Sequence, residues 1–408
     1  MSEVNNPQPP APPPSSEPPP PYVIPVRYPP GVAPPPPPPP RRGSGIGCVL
    51  TVFLLLILGL SLAVNAVLMY SGKLNLDLSE SDGGSLTEHF HSGKDSAKDK
   101  IAIVKIDTVL MEGNTGFALK QIDAAAADNK VKAVIVRVNS PGGSITASDD
   151  LHHRLIELRD GKNIKQKGGA KTLVVSMGAI AASGGYYISV PAKHIVAETT
   201  TITGSIGVYA AFPNIAGLAD KYGFGMNVIK AGAVKDSGSM FKKMTPQEKQ
   251  LWQDMVDSAY GRFIDVVETG RPDLKGKMLE TVIKKDIPAD DKVPEGVEKK
   301  PMVEYTRYRA DGGIYTAKEA KEFGLIDQIG YLDDAIQKTA SLAGLGSDYK
   351  VISYEKQATL SSILFGTKAP QPGGQLTAGK LAAGATPRLW FLAPQSELAG
   401  ILAAMGGE

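Results

Sequence analysis

Two glycine-rich segments bring together the residue types that acyl transfer requires. The first is Ser140–Gly143 (SPGG), and the second is the run SMGAIAASGGYY at 176–187, which contains Ser183. Paired glycines allow the backbone to turn with positive φ and to point free N–H groups into a cleft. Small neighbours leave the Ser183 hydroxyl unshielded, so this serine and nearby N–H donors would supply a nucleophile and an oxyanion hole. Tight packing of helices on strands through small residues is the alternative interpretation, and composition alone favours it.

The surrounding pattern predicts the elements that would position these segments. Short apolar runs alternate with stretches of helical period, and each glycine-rich segment stands where a strand meets a helix. In chain order the predicted elements are strands at 101–106, 132–139 and 171–176, helices at 117–128, at the stretch with Leu151, Leu155 and Leu158, at 178–187 and at about 246–268, an extended run at 226–230, and a strand, turn and helix within 324–336. Such alternation is typical of an α/β fold built from parallel βαβ units.

Four motifs in this order resemble the signal peptide peptidase A (protease IV) family of serine peptidases. They are VNSPGGSITAS at 138–148, SMGAIAASGGYYIS at 176–189, TGSIG at 203–207 and IKAGAVKD at 229–236. The resemblance is collinear from about residue 100 to about residue 340. It implies a ClpP/crotonase-like fold of repeated βαβ units, preceded by a single transmembrane helix, and a serine endopeptidase with a Ser–Lys dyad.

The resemblance assigns roles to individual residues. Ser183 matches the nucleophile and Lys235 matches the general base. Ser205 matches the hydroxyl that orients the lysine, and Gly143 matches an oxyanion donor that acts with the backbone N–H of Ser183. No cofactor and no metal are implied. The implied substrates are residual signal peptides or other membrane-associated peptides, bound as extended strands, and the implied assembly is a homo-oligomer with its cleft between neighbours.

A lysine base makes a physical demand that the sequence around Lys235 can meet. Lysine is protonated at neutral pH and accepts a proton only where desolvation holds it neutral. The neighbours at 231–234 (AGAV) are small and apolar, whereas Asp236 would favour the charged form if it paired with Lys235. We therefore expect Asp236 to point away, as alternation along a strand would require.

Three other interpretations stay open. A Ser–His–Asp triad could use His152, His153 or His194, although a solvated helix face accounts for the first two. A catalytically inactive membrane scaffold could keep the same fold, but both dyad residues are present. A crotonase-type acyl-CoA enzyme shares the broad fold, but an exported domain lies away from the coenzyme A pool.

The ends of the sequence predict a membrane-anchored arrangement. Residues 1–43 hold most of the 32 prolines and predict a disordered cytoplasmic tail, and residues 44–71 form an uncharged, apolar stretch that predicts a transmembrane helix. Arg41 and Arg42 precede that stretch, which places the N-terminus in the cytoplasm and the following domain outside the bacterial inner membrane, in the periplasm. A cleaved signal peptide is the alternative. Residues 72–98 are predicted as a linker, 99–366 as the peptidase domain and 367–408 as a flexible tail, in which LWFL at 389–392 could dock on the protein.

Composition limits the partners. With 44 Lys and Arg against 42 Asp and Glu over 408 residues, the net charge of +2 lacks the basic excess that nucleic-acid binding requires. A single cysteine, Cys48, excludes an internal disulfide framework, and five histidines make a histidine-rich metal cluster an unfavoured interpretation.

Overall fold

The computed structural model describes residues 53–59, 61–62, 86–162, 169–288, 302–356 and 389–392. The chain divides into two compact units, Met1–Asp77 and Leu78–Glu408. In the first unit, residues 53–59 and 61–62 are helical, and their large apolar side chains are exposed. None of the helices in these described ranges has the length and apolar character needed to cross a membrane. The predicted tail at 1–43 and most of the predicted transmembrane helix at 44–71 lie outside the described residues.

The second unit contains fourteen described strands and seven described α-helices. The strands are β1 Leu86–Gly93, β2 Asp99–Ile106, β3 Val131–Ser140, β4 Gly142–Ser144, β5 Thr172–Ala182, β6 His194–Ala197, β7 Ile202–Gly204, β8 Tyr209–Ala210, β9 Thr281–Pro288, β10 Met302–Tyr308, β11 Ile314–Thr316, β12 Gln328–Ile329, β13 Tyr349–Lys356 and β14 Leu389–Leu392. The helices are α1 Gly116–Ala127, α2 Ile145–Asp160, α3 Gly184–Tyr187, α4 Ala216–Tyr222, α5 Pro246–Gly270, α6 Ala317–Glu322 and α7 Leu332–Ala343, and a 3₁₀ turn lies at Pro272–Leu274.

A nine-stranded, mostly parallel sheet forms the centre of this unit. Seven strands follow the order β1-β13-β2-β3-β5-β6-β12, while β7 pairs with β5 and β11 pairs with β7. The pairs from β13 through β12 are parallel, and only β1 and β11 join antiparallel. Helices connect most of the parallel neighbours, so the predicted α/β class is confirmed.

Alternation along the strands divides the core between the two faces of this sheet. On β3, Val134 and Val136 face the larger cluster, which includes Leu151 and Leu155 of α2. Ile135 faces the other cluster, where α7 covers the sheet. Because these strands are buried on both faces, they read as continuous apolar runs in the sequence.

Local sequence signals fix the limits of the two long helices. Ser144 caps α2 by accepting a hydrogen bond from the Ala147 N–H, and Gly161 ends that helix with left-handed φ. Thr245 and Glu248 form a reciprocal capping box at the start of α5. The first cap matters for the site, because it fixes the chain immediately after SPGG.

Three sequence predictions need correction. Strand β1 lies inside the predicted linker 72–98 and pairs with β13, so the folded domain begins before residue 99. Strand β14 lies inside the tail 367–408 and pairs with β4 and β8, so that tail is not flexible throughout. The helix predicted at 178–187 is wrong in its first half, because β5 continues to Ala182 through pairing with β3 and β7 and only four residues of helix follow.

Candidate active site

Ser183 occupies the sharp turn between β5 and α3 in a strained backbone conformation. Its φ of 54° and ψ of −115° lie outside the regions that non-glycine residues ordinarily adopt. In the described ranges only one other non-glycine residue, Ser205 (φ 51°), has positive φ. Ala182 pairs with Gly204 at the ends of β5 and β7, which makes Ser183 and Ser205 the next residues on neighbouring strands. The two serines assigned to the site are thus adjacent, and both are held in strain.

The Ser183 side chain is buried and unpaired. Its Oγ atom is inaccessible and has no hydrogen-bond partner among the described residues, which is unusual for a buried hydroxyl. The Ser183 N–H donates to the Gly204 carbonyl at 2.8 Å, so this second predicted oxyanion donor is occupied here. The Ser183 hydroxyl therefore has no base beside it among the described residues, and the Ser183 N–H is bonded to the neighbouring strand.

Gly143 lies where only glycine fits. A Cβ atom at this position would stand 2.0 Å from the Leu110 carbonyl oxygen. The Leu110 N–H donates to the Gly142 carbonyl at 2.8 Å, and the Ser144 N–H donates to the Leu110 carbonyl at 2.7 Å. Because strand groups alternate in direction, the N–H of Gly143 faces the opposite edge. The Gly143 N–H, which is the predicted oxyanion donor, therefore points away from Leu110.

The two glycine-rich segments are in contact with each other. A Cβ atom at Gly185 would meet the Ser140 carbonyl oxygen at 2.5 Å, and Ser140 pairs with Ala181 across β3 and β5. The structure therefore brings SPGG against the turn that carries Ser183, as the sequence predicts.

Lys235 lies in an exposed turn, and the structure does not join it to Ser183. No hydrogen bond or ion pair is made by its side chain with any described residue, and no strand forms at 226–230. Asp236 instead binds Lys230 and Lys242, which hold the pKa of its carboxyl down at about 2. The predicted separation of Asp236 from Lys235 thus agrees with the geometry, although it arises in a turn rather than by strand alternation.

The segment around Lys235 exposes large apolar side chains. We call the following set the apolar patch: Leu218 and Tyr222 of α4, Phe224, Met226, Val228 and Ile229 of the next loop, and Leu251 and Met255 of α5. Large exposed apolar side chains in such number are typical of surfaces that bind a partner, a ligand or a membrane.

Comparisons with known proteins agree with this geometry. Residues 165–281, which include Ser183, Ser205 and Lys235, match the sequence profile of peptidase family S49. Over 255 residues the chain is 33% identical to the putative protease slr0021 of Synechocystis sp., covering 62% of this chain and 78% of that protein. The chain belongs to peptidase family S49.

Further S49 relatives include proteins of different length. Protease 4 of Salmonella typhi is 34% identical over 252 residues, which cover 60% of this chain and 35% of that protein. The putative signal peptide peptidase SppA of Enterococcus faecium is 34% identical over 241 residues, which cover 59% of each. The matched region thus spans about a third of the Salmonella protein and more than half of the Enterococcus protein.

None of the histidines in the described ranges of this S49 family member forms a hydrogen bond with the Ser183 hydroxyl. His152 is not on a solvated face as predicted, because it is buried with its ring centroid 4.9 Å from that of Tyr187. Burial lowers the pKa of His152 to about 4. His153 is exposed, and His194 lies 3.2 Å from the Gln328 side chain. Since Ser183 Oγ has no hydrogen-bond partner, no Ser–His pair forms among the described residues.

Side chains that the sequence analysis missed anchor the turn after Ser183. The Tyr187 hydroxyl donates to Asp149 at 2.5 Å, and Arg262 of α5 binds the same carboxylate at 3.2 Å. The Tyr186 hydroxyl donates to the Leu325 carbonyl at 2.8 Å. The YY pair directly after the glycines is the sequence signal that could have identified these anchors. They hold α3 to α2 and to the segment at Leu325, and Asp149 also binds α5, so Ser183 stands at the start of a well-anchored helix.

Proposed function

We propose that this chain is a membrane-anchored serine endopeptidase with Ser183 as nucleophile and Lys235 as general base. The observation that carries the proposal is the Ser183 turn, where a strained backbone presents a buried hydroxyl with no partner of its own. Backbone strain at a buried serine is typical of a functional residue rather than of a packing residue. The parallel sheet and the two glycine-rich turns also support a ClpP/crotonase-like arrangement.

The chemistry proceeds through an acyl-enzyme. Neutral Lys235 accepts the Ser183 proton while Oγ attacks the peptide carbonyl carbon, and the carbonyl oxygen becomes the oxyanion that faces the Gly143 N–H. The C–N bond then breaks as the Lys235 ammonium returns the proton to the leaving amine. Water attacks the Ser183 ester with Lys235 again as base, which releases the acid product and restores the serine. For the Ser183 N–H to join as second donor, it must leave the Gly204 carbonyl.

The Lys235 side chain is exposed, so it must be shielded from water before it can act as a neutral base. The apolar patch lies on the same segment, and burying it against a second copy would also desolvate this lysine. We therefore propose a homo-oligomer in which the cleft is completed between copies. Ser205, the strained neighbour of Ser183, would orient the incoming lysine.

The proposed substrates are residual signal peptides and other membrane-associated peptides at the outer face of the bacterial inner membrane. A relative carries the name putative signal peptide peptidase, which supports this substrate class. The exposed apolar side chains at 53–59 and the uncharged stretch around them support an anchor at 44–71, with the N-terminus in the cytoplasm.

The direct test measures cleavage of a fluorogenic peptide with an apolar centre by the full-length protein in detergent, from pH 6 to 10. Ser183→Ala and Lys235→Ala should each lower kcat by at least about a thousandfold. Lys243→Ala is the matched control, because this lysine is also exposed in the same region, and it should keep wild-type turnover. Activity that survives Lys235→Ala would assign the base to another residue. A folded wild type that is inert on every peptide would favour the inactive scaffold.

A mixing experiment tests the shared cleft. Co-expressed Ser183→Ala and Lys235→Ala chains should recover activity, since an intact serine of one copy can meet an intact lysine of its neighbour in about a quarter of the sites. If serine and lysine act within one chain, the mixture stays as inactive as the two variants alone.

A further inference from the structure

Ser205 is fixed in its strained conformation by a turn much later in the chain, at 310–313. The Ser205 N–H donates to the Gly313 carbonyl at 2.7 Å, and the Gly312 N–H donates to the carbonyl of Ile206 at 3.1 Å. These bonds continue the antiparallel pairing of β7 with β11. A φ of 51° persists at a non-glycine residue only where the surrounding contacts hold it. The shape of the turn at 310–313 therefore decides how Ser205 stands in the site.

An ion pair with little exposure to water fixes the shape of that turn. Arg307 lies near the end of β10, and its Nε and Nη2 atoms donate to the two carboxylate oxygens of Asp311 at 2.6 and 2.8 Å. The same carboxylate accepts the Gly313 N–H at 2.8 Å, and the third guanidinium nitrogen donates to the Ile314 carbonyl at 3.1 Å. The two charged side chains are only 14% and 15% exposed. Two parallel hydrogen bonds between arginine and a carboxylate fix the geometry of both groups as well as adding energy.

Aromatic packing joins the same ion pair to the strand that precedes Ser205. The Arg307 guanidinium lies over the ring of Tyr315, 4.4 Å from its centroid. A Cβ atom at Gly204 would stand 2.5 Å from that ring, and the Tyr315 hydroxyl donates to the Tyr308 carbonyl at 2.6 Å. Because Tyr315 is completely buried, it is a fixed spacer between Arg307 and the residue before Ser205. The ion pair thus reaches Ser205 by two routes, one through the backbone of the turn and one through this ring.

We propose that Arg307 and Asp311 are positioning residues for Ser205; this rests on the proposed function. They hold Ser205 in the conformation from which its hydroxyl orients Lys235. The hydrogen bonds of the two side chains end on one another or on residues 313–315, and none in the described ranges reaches either glycine-rich segment of the site. Loss of the pair should therefore displace Ser205 and leave the nucleophile in place, since the helix after the nucleophile has its own anchors.

The test compares two variants of Asp311 with a matched control in the full-length protein, using the fluorogenic peptide. Asp311→Asn keeps an oxygen for the Gly313 N–H and loses only the charge, so kcat should fall about tenfold, whereas Asp311→Ala should lower kcat about a hundredfold. KM should be unchanged in both, because the base is misaligned while peptide binding is not affected. Glu304→Ala is the control and should keep wild-type turnover, because it removes an ion pair of the same hairpin whose side chains are 66% and 56% exposed. Wild-type kcat in both Asp311 variants would overturn the proposal, and so would a loss of kcat/KM that comes entirely from KM.

A double-mutant cycle shows whether the ion pair acts through Ser205. Ser205→Ala removes the orienting hydroxyl, so adding Asp311→Ala to it should change kcat by less than about twofold. If the two losses of kcat multiply instead, the ion pair acts on another part of the molecule and the proposal is overturned. Arg307→Lys keeps the positive charge but cannot pair with both carboxylate oxygens in one plane, so its kcat should fall as that of Asp311→Asn does. Wild-type kcat in Arg307→Lys would contradict the role given to the paired hydrogen bonds.

Hydrogen exchange separates this proposal from the proposed function. In Ser183→Ala, where no turnover is needed, the Ser205 amide should exchange slowly because it is bonded to the Gly313 carbonyl. Adding Asp311→Ala should raise its exchange rate at least about tenfold relative to the amides of β3, whereas adding Glu304→Ala should leave it unchanged. Unchanged protection of the Ser205 amide would overturn the proposal even if peptidase activity is present. If the wild type has no activity, the proposed function fails, and this measurement still decides whether the ion pair holds Ser205.

Discussion

Replacing Ser183 by glycine should stabilise the protein while it abolishes peptidase activity. A non-glycine residue at φ 54° and ψ −115° carries about 1–3 kcal/mol of backbone strain, which glycine avoids. Glycine also lowers the stability by about 0.5–1 kcal/mol, because the unfolded chain gains conformational freedom at this position. Removal of the buried, unpaired Oγ adds about 1 kcal/mol or more, because an unsatisfied hydroxyl is costly to bury. The expected net gain for Ser183→Gly is about 2 kcal/mol, and Ser183→Ala, which keeps the strain, should gain about 1 kcal/mol.

The matched control for this experiment is Ser189→Ala. Ser189 is also completely buried, but its hydroxyl donates to the Gly185 carbonyl at 2.7 Å, so its removal leaves that carbonyl unpaired. This control should lose about 1 kcal/mol. Urea unfolding of the four proteins gives the free energies, and each 1 kcal/mol should move Tm by roughly 2–4 °C. If Ser183→Gly is less stable than Ser183→Ala, or if both fall as the control does, the assignment of strain and an unpaired hydroxyl to Ser183 is refuted.

Two further predictions use the same measurements. Gly143→Ala should lower kcat/KM at least about tenfold and reduce the free energy of unfolding by about 1–3 kcal/mol, because the added Cβ would overlap the Leu110 carbonyl. Gly113→Ala is the control and should change neither quantity, because a Cβ at Gly113 would have no atom within 4 Å. Burial keeps the pKa of His152 at about 4 against 6.5 when unfolded, so the unfolded chain takes up the proton first and stability falls by about 1.4 kcal/mol per unit as pH drops from about 6.5 to about 4. Urea unfolding at pH 4 to 7 should show this slope in the wild type and a weaker slope in His152→Phe, and equal slopes would contradict the prediction.

The sequence predicted the central strands well and the margins of the sheet poorly. Strands β2 and β3 are buried on both faces, so they appear as unbroken apolar runs that can be recognised without a partner. Strand β1 (LTEHFHSG) is an exposed edge strand with polar side chains, and nothing local distinguishes it from a linker. The second half of β5 is rich in alanine and glycine, which favours a helix locally, but pairing with β3 and β7 keeps it in the sheet.

The candidate site, like the fold, could be predicted from the sequence only in part. Contact between SPGG and the Ser183 turn could be predicted, because successive parallel strands end at the same edge of a sheet. The strain at Ser183 and Ser205 could not, since it depends on the pairing of Ala182 with Gly204. The pairing of β14 with β4 at Gly143 could not be predicted either, because nothing in a four-residue apolar stretch of a long tail indicates which strand it will pair with.

Ser183 and Lys235 lie in parts of the chain that differ greatly in how firmly they are held, and under the proposed function this difference affects how activity is controlled. Three buried or half-buried hydroxyl contacts, from Tyr186, Tyr187 and Ser189, fix the helix after Ser183. Lys235 instead lies in an exposed turn that is ordered by the bonds of Asp236 to two other lysines, which keeps that carboxylate from pairing with Lys235. Under the proposed function, activity therefore depends on what packs against the apolar patch, because the exposed Lys235 must be shielded from water before it can accept the Ser183 proton.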